Sequence, residues 1–209
     1  CLRMTLRLTL AGFDAEFMPF DWRQSPAVAG KMLIDRIRNR GLTNVSLVCH
    51  SMGGLVARQM AAEDHDRSLI SRVVTSGTPN HGSYAPVQVF DLSHDILGPL
   101  GFADLTHDRK TIVDKFLRGF PGLVEMMPDP DKRPDQTFFT RSFWPSGAVP
   151  PTSNSLRAAR LGRSDLPTPD ARFQQIIGTG KDTVIVADKT TNGFVYNRSF
   201  DGDGTVPRD

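Results

Sequence analysis

The sequence predicts an α/β fold with a doubly wound, mostly parallel sheet, and three observations carry that reading. Up to Ser83, short apolar runs alternate with amphipathic stretches at helical spacing, the pattern of strands joined by crossover helices. One Val-rich run leads directly into a Ser-Met-Gly-Gly turn and a second helical pattern. From Tyr84 to Pro169 the alternation gives way to a Pro- and aromatic-rich stretch, and strand-like runs resume at Arg172.

Taken in order, Leu2, Leu6 and Leu10 recur at helical spacing with Gly12 where a C-terminal cap would sit, so Leu2 to Ala11 reads as a helix. Ala15 to Phe20, apolar and stopped by Pro19 and Asp21-Trp22-Arg23, is expected to be a buried strand. Ser25-Pro26 supplies an N-cap and a proline at the first helical position, and Val28, Met32, Leu33 and Ile37 mark the apolar face of a helix ending near Gly41. Val45 to Cys49 holds two valines and one polar residue, as expected of a strand covered on both faces. After a turn at His50 to Gly53, Leu55, Val56, Met60 and Ala61 continue a helix to about Glu63. Leu69 to Thr75 is the next strand, opening into the turn-rich loop Ser76 to Ser83. The stretch from Tyr84 to Pro169 carries prolines such as Pro121, Pro128 and Pro134 and the exposed-looking aromatics Phe116, Phe120, Phe138, Phe139, Phe143 and Trp144. An insertion of that length is more often a functional cap than a plain loop. Arg172 to Ile177 is a strand, and a polar section with Val184 to Ala187 leads to the final Gly- and Asp-rich loop.

Composition fits one domain. The chain of 209 residues is long enough for a single sizeable core, and its net charge of +2 is mild, with basic residues interspersed among acids, so nucleic acid is not indicated as a partner. Two cysteines, Cys1 and Cys49, make a disulfide framework improbable. No apolar run approaches the roughly 18 to 20 residues that cross a bilayer. The chain starts with Cys1 on what reads as the middle of a helix, so it is expected to be a fragment, its compartment left open.

The chemistry concentrates at Leu47-Val48-Cys49-His50-Ser51-Met52-Gly53-Gly54-Leu55. A nucleophilic serine must be lifted off a sheet so that a base reaches one side and a carbonyl the other. A sharp strand-to-helix turn does this, and the flanking strand and helix patterns make the segment a nucleophile elbow of the α/β-hydrolase fold. Gly53 meets the need for little bulk, Gly54 is expected to let the helix pack close to the neighbouring strand, and Cys49 stands where a glycine is usual. With Ser51 as nucleophile, the Met52 backbone N–H and the positive end of the helix point to where an oxyanion would develop. The second donor is expected upstream of Cys1. Cys49 itself, in an apolar strand, is expected to be a packed thiol.

A serine needs a base, and the base an acid to hold its tautomer. In this fold the order is serine, acid, histidine. Asp201 and Asp203 stand in a late glycine-flanked loop, but all five histidines (His50, His65, His81, His94, His107) precede it. His50 is expected to pack behind the serine rather than act as base. His81, at the strand edge where ligands bind such sheets, touches substrate or stabilises its turn.

Several segments together resemble the lipases and acyltransferases related to lecithin:cholesterol acyltransferase and the lysosomal phospholipase. They are Phe20-Asp21-Trp22-Arg23, the elbow, Gly77 to Ser83, Phe120 to Pro128, and Gly178-Thr179-Gly180 leading to Gly202-Asp203-Gly204-Thr205-Val206-Pro207. The resemblance implies Ser51 as nucleophile and Asp203 as triad acid, with Asp201 shaping the loop and the histidine beyond Asp209. It implies a single α/β-hydrolase domain over 1–209, truncated at both ends, with residues 84–169 as a cap over an acyl pocket.

The expected activity is that of a serine carboxylic-ester hydrolase or O-acyltransferase on lipid or other apolar esters, with transient contact to a membrane or lipid surface and no cofactor. The competing reading is a catalytically inactive α/β-hydrolase fold used for lipid or protein binding, resting on the missing histidine. A metal enzyme is disfavoured, since no His-x-x-x-His or Cys-x-x-Cys spacing is present. The stretch expressed alone is expected to be inactive.

Overall fold

The computed structural model describes residues 2–98 and 107–208. Cys1, and residues 99–106 of the insertion, lie outside the described residues. The fold is α/β. Its sheet has three parallel strands in the order β1 (Val45–His50), β2 (Ile70–Ser76), β3 (Phe173–Ile176). In register, His50 of β1 pairs with Ser76 of β2, which pairs with Ile176 of β3. The three strands therefore end side by side, and the loops leaving them share one edge, where ligands bind in open α/β sheets.

α1 (Leu2–Leu10) ends at Gly12, which takes φ +90°, the left-handed geometry expected of a glycine cap. α2 (Pro26–Asn39) starts as its sequence indicates, with the Ser25 side chain accepting from the Val28 N–H and Pro26 in the first turn. α3 (Met52–Glu63) crosses from β1 to β2. α2 and α3 bury Ala29, Leu33, Ile34, Ile37, Val56 and Met60 against Ile70 and Val73 of β2 in one apolar core. The buried side of α2 thus runs through Ala29 and Ile34. Val28 and Met32, expected on it, are exposed.

Two expectations fail on the strands. Ala15 to Phe20 joins neither sheet. Met18 and Phe20 pack on the α2–α3 core from an irregular segment, so the apolar run reflects side-chain burial without ladder hydrogen bonds. β1 is covered on one face only, its residues alternating between half-buried and exposed, with Val48 48% exposed. Valine and cysteine fit either face of a pleated strand, which hid a two-residue period behind an unbroken apolar run.

The insertion is more ordered than its sequence suggests. It contains α4 (Ala85–Phe90), α5 (Arg109–Lys115), α6 (Pro121–Val124) and α7 (Ser153–Ser164), capped by the Thr152 hydroxyl. The aromatics read as exposed are largely internal: Phe138, Phe139 and Trp144 are buried, while Phe116 is exposed. Phe138, Phe139 and Trp144 form a second apolar core with Tyr84, Phe90 and Phe194. Phe194 belongs to an antiparallel hairpin of β4 (Thr183–Lys189) and β5 (Phe194–Ser199). The polar section expected there is this hairpin, and its signal was Asn192-Gly193 between two apolar runs.

The ends of α3, β2 and β3 are tied by one buried ion pair. Asp64, whose side chain is 0% exposed, accepts from the Leu69 and Ile70 N–H groups and from Arg172 Nη1 at 2.8 Å. Arg172 Nη2 donates to the Ala61 carbonyl at the last turn of α3. Removing one partner strands the other charge in the interior. Arg172→Met, which keeps most of the aliphatic packing, is expected to cost about 3 kcal/mol. The reading is the urea midpoint at unchanged slope, and a loss of under about 1 kcal/mol would refute it.

Candidate active site

Ser51 stands between β1 and α3 with φ +53° and ψ −130°, a conformation that is rare for a residue with a Cβ. Such a backbone costs about 1–3 kcal/mol and persists only where its surroundings over-determine it. Here the Ser51 N–H donates to the Ser76 carbonyl at 2.9 Å, and the Ser51 carbonyl accepts from the Gly54 N–H and Thr78 Oγ1, each at 3.0 Å. The Ser51 side chain makes no capping bond to α3, although it occupies the N-cap position. Its hydroxyl is thereby left to other chemistry. Met52 begins α3 with a buried side chain, and its N–H is one of the helix-start donors without an intrahelical acceptor.

The two glycines of the elbow have different tasks from those expected. A Cβ on Gly53 would meet only Cys49 Cβ at 3.8 Å and Phe20 at 3.9 Å, which is ordinary contact, so bulk there is not what the turn excludes. Gly54 is the tight one, and its neighbour is the loop after β2 rather than a strand. A Cβ would lie 2.1 Å from Thr78 Oγ1 and 2.6 Å from its methyl carbon. Cys49 is a free thiol, and burial pushes it up to about 12, so it stays protonated and unreactive at neutral pH.

Asp203 reaches the same strand ends from the β3 side. Its Oδ1 accepts from the Thr205 and Val206 N–H groups at 2.9 and 2.8 Å. Its other oxygen, Oδ2, faces Gly77, where a Cβ would come within 2.9 Å, and the Asp203 Cβ fits against Gly178. Ser83 anchors the loop that carries Asp203, its hydroxyl donating to the Thr205 carbonyl at 2.7 Å. Asp201 pairs with Arg208 at 2.9 Å at the loop's outer side. Ser51 and Asp203 therefore flank the end of β2, one through Ser76 and Thr78, the other through Gly77.

An open cleft of about 460 Å³ is lined by Gly77, Thr78, His81, Asp203 and the β3 end at Ile176 to Gly178. Ser51 is not part of its lining. His81 shares the cleft with Asp203 but leans toward Asp129, its Nδ1 4.0 Å from Oδ2. His50 is exposed on the open side of β1, not packed behind the serine, because the strand's alternation turns it away from α3. On the elbow's other flank, the Phe120 to Pro128 segment meets Phe20 to Arg23. A Cβ on Gly122 would fall 2.1 Å from the Trp22 carbonyl and 2.7 Å from Met52 Cε, and Trp22 stacks edge-on against Phe120 at 5.5 Å. These contacts bring together segments a hundred residues apart.

Sequence reasoning missed Thr78 and Ser83. Both sit in a loop whose sequence carries turn formers and a family resemblance but gives neither residue a role, and their partners are a backbone carbonyl and a distant loop, neither visible in a local pattern. Among the described residues, no group of three or more His, Cys, Asp or Glu side chains is placed to hold a metal ion, and no helix is long and apolar enough to cross a membrane.

The strand-to-helix turn at Ser51 and the parallel strand order fit an α/β-hydrolase-like fold. A family model described as the PGAP1-like alpha/beta domain matches residues 30–96, from within α2 through the elbow and β2 to the start of the insertion. The match covers well under half of the chain and supports the α/β-hydrolase class without singling out a lecithin:cholesterol acyltransferase-like lipase. No curated protein matches the chain.

Proposed function

We propose that this protein is a serine carboxylic-ester hydrolase or O-acyltransferase of the lecithin:cholesterol acyltransferase-like kind, acting on lipid or other apolar esters through an acyl-enzyme on Ser51. The observation that carries the reading is the strained backbone of Ser51 at the strand-to-helix junction, held by three hydrogen bonds while its hydroxyl makes no capping bond. Backbone strain of this kind gathers at active sites, where it holds a reacting group in place.

In the proposed reaction Ser51 Oγ attacks the ester carbonyl and gives its proton to a histidine base. The oxyanion that forms accepts a hydrogen bond from the Met52 N–H, and collapse expels the alcohol, which leaves with the base's proton. Water or an acceptor alcohol, giving a proton to the base, then attacks the acyl-enzyme, and the acyl product departs as the base passes that proton to Ser51 Oγ. Asp203 is the acid that orients the base, with Oδ1 fixed by two N–H groups and Oδ2 turned toward Gly77. The base itself is proposed to come from beyond Asp209 and the second oxyanion donor from before Cys1. Residues 84–169 are proposed as a cap over the acyl pocket, the arrangement that sets how far water is kept from the acyl-enzyme.

The test is a fluorophosphonate probe on the full-length protein, with the modified peptide mapped. Stoichiometric labelling at Ser51 is expected, and residues 1–209 alone should show no ester turnover. An unlabelled Ser51 in the folded full-length protein would favour an inactive, ligand-binding fold instead.

A further inference from the structure

We infer that Thr78 is a positioning residue for the oxyanion donor, setting the Met52 N–H through the peptide unit it shares with Ser51. The inference rests on the proposed serine chemistry and adds a residue to it.

The peptide between Ser51 and Met52 is a rigid plane whose carbonyl and N–H point in opposite directions. Whatever fixes the Ser51 oxygen therefore fixes the Met52 hydrogen. That oxygen accepts from the Gly54 N–H inside the helix start and from Thr78 Oγ1, each at 3.0 Å. The Gly54 bond forms in any helix that begins here. The Thr78 bond comes from outside the helix, from the loop after β2. Thr78 is 3% exposed, so water cannot take its place readily. Its approach is built into the sequence, since only a glycine at position 54 leaves room for its hydroxyl and methyl. The neighbouring peptide is tied to the same strand end by the Ser51 N–H on the Ser76 carbonyl. The two bonds hold both sides of a strained residue, and the hydroxyl also polarises the peptide, making the Met52 N–H a better donor to a developing negative charge.

The prediction separates this role from packing. Thr78→Val keeps the shape and removes the donor, and Thr78→Ser restores the donor on a smaller side chain. In the full-length protein, measured per fluorophosphonate-titrated site, Thr78→Val is expected to lower kcat by roughly 10- to 100-fold, part of what losing an oxyanion donor costs, with KM nearly unchanged. Affinity for a trifluoromethyl ketone, which mimics the tetrahedral adduct, should fall by the same factor, and Thr78→Ser should recover most of both. A valine variant with wild-type kcat overturns the inference. So does one whose loss appears equally in KM and is not rescued by serine, the pattern of a packing defect. Should Thr78→Val fail to fold, Thr78→Cys, whose thiol is a weak donor, takes its place under the same criteria. If wild-type Ser51 is not labelled at all, the serine reading and this inference fall together. Labelled wild type with an indifferent Thr78 removes the inference alone.

Discussion

Ser51→Ala is expected to lower kcat of the full-length protein about a millionfold, the scale on which a triad serine is lost. Its stability should stay within about 0.5 kcal/mol of wild type. Both halves follow from the elbow. The hydroxyl makes no bond to the helix it precedes, so removing it leaves no donor or acceptor stranded. Alanine keeps the Cβ and hence the same cost of φ +53°, and the Ser76 and Thr78 bonds involve only backbone atoms of residue 51. Turnover on a p-nitrophenyl ester and a thermal melt on the same preparation check the two halves together. A variant that retains a tenth of wild-type turnover would mean that another nucleophile acts. A variant that loses several kcal/mol would mean that the hydroxyl has a structural partner.

Much of this site was legible because the elbow is local. Its turn, the N-cap at Ser25 and the boundaries of α3 depend on neighbours within a few residues, and pattern reading found them. What it could not find depends on tertiary placement. Whether Val48 is covered is decided by what lies over β1, and whether Phe138 and Trp144 are inside is decided by a hairpin that brings in Phe194. Ala15 to Phe20 has the composition of a strand but no partner at hydrogen-bonding distance in either sheet, and composition cannot report a missing neighbour. The hairpin at Asn192-Gly193 differs from these, since its turn signal is local. Asp203 became a candidate through resemblance and through a loop late in the chain, but its meeting with Gly77 needs the parallel register of β2 and β3, which no local pattern encodes.

That placement makes Asp203→Asn the informative change on the acid side, with an expected loss of about 10⁴-fold in kcat and little change in stability. The asparagine is nearly isosteric, and its amide oxygen can still accept the Thr205 and Val206 N–H groups that Oδ1 accepts now. The loop, further anchored by Ser83, therefore keeps its shape. With the oxygen committed to those two donors, the amide nitrogen takes the place of Oδ2 facing Gly77, so a group that accepted becomes one that donates. An imidazole meeting it would have to present its unprotonated nitrogen there, leaving its proton toward Ser51 where a base is needed. The chemistry fails through the wrong tautomer while the fold stands. The same substitution at Asp201, which pairs with Arg208 on the loop's outer side, is expected to leave kcat within about threefold, since an exposed pair contributes about 1 kcal/mol or less. Steady-state kinetics of both variants decides which aspartate of the Asp-Gly-Asp-Gly loop is the acid. A large loss at Asp201 with an indifferent Asp203 would reverse the assignment and with it the reading of the cleft beside Gly77.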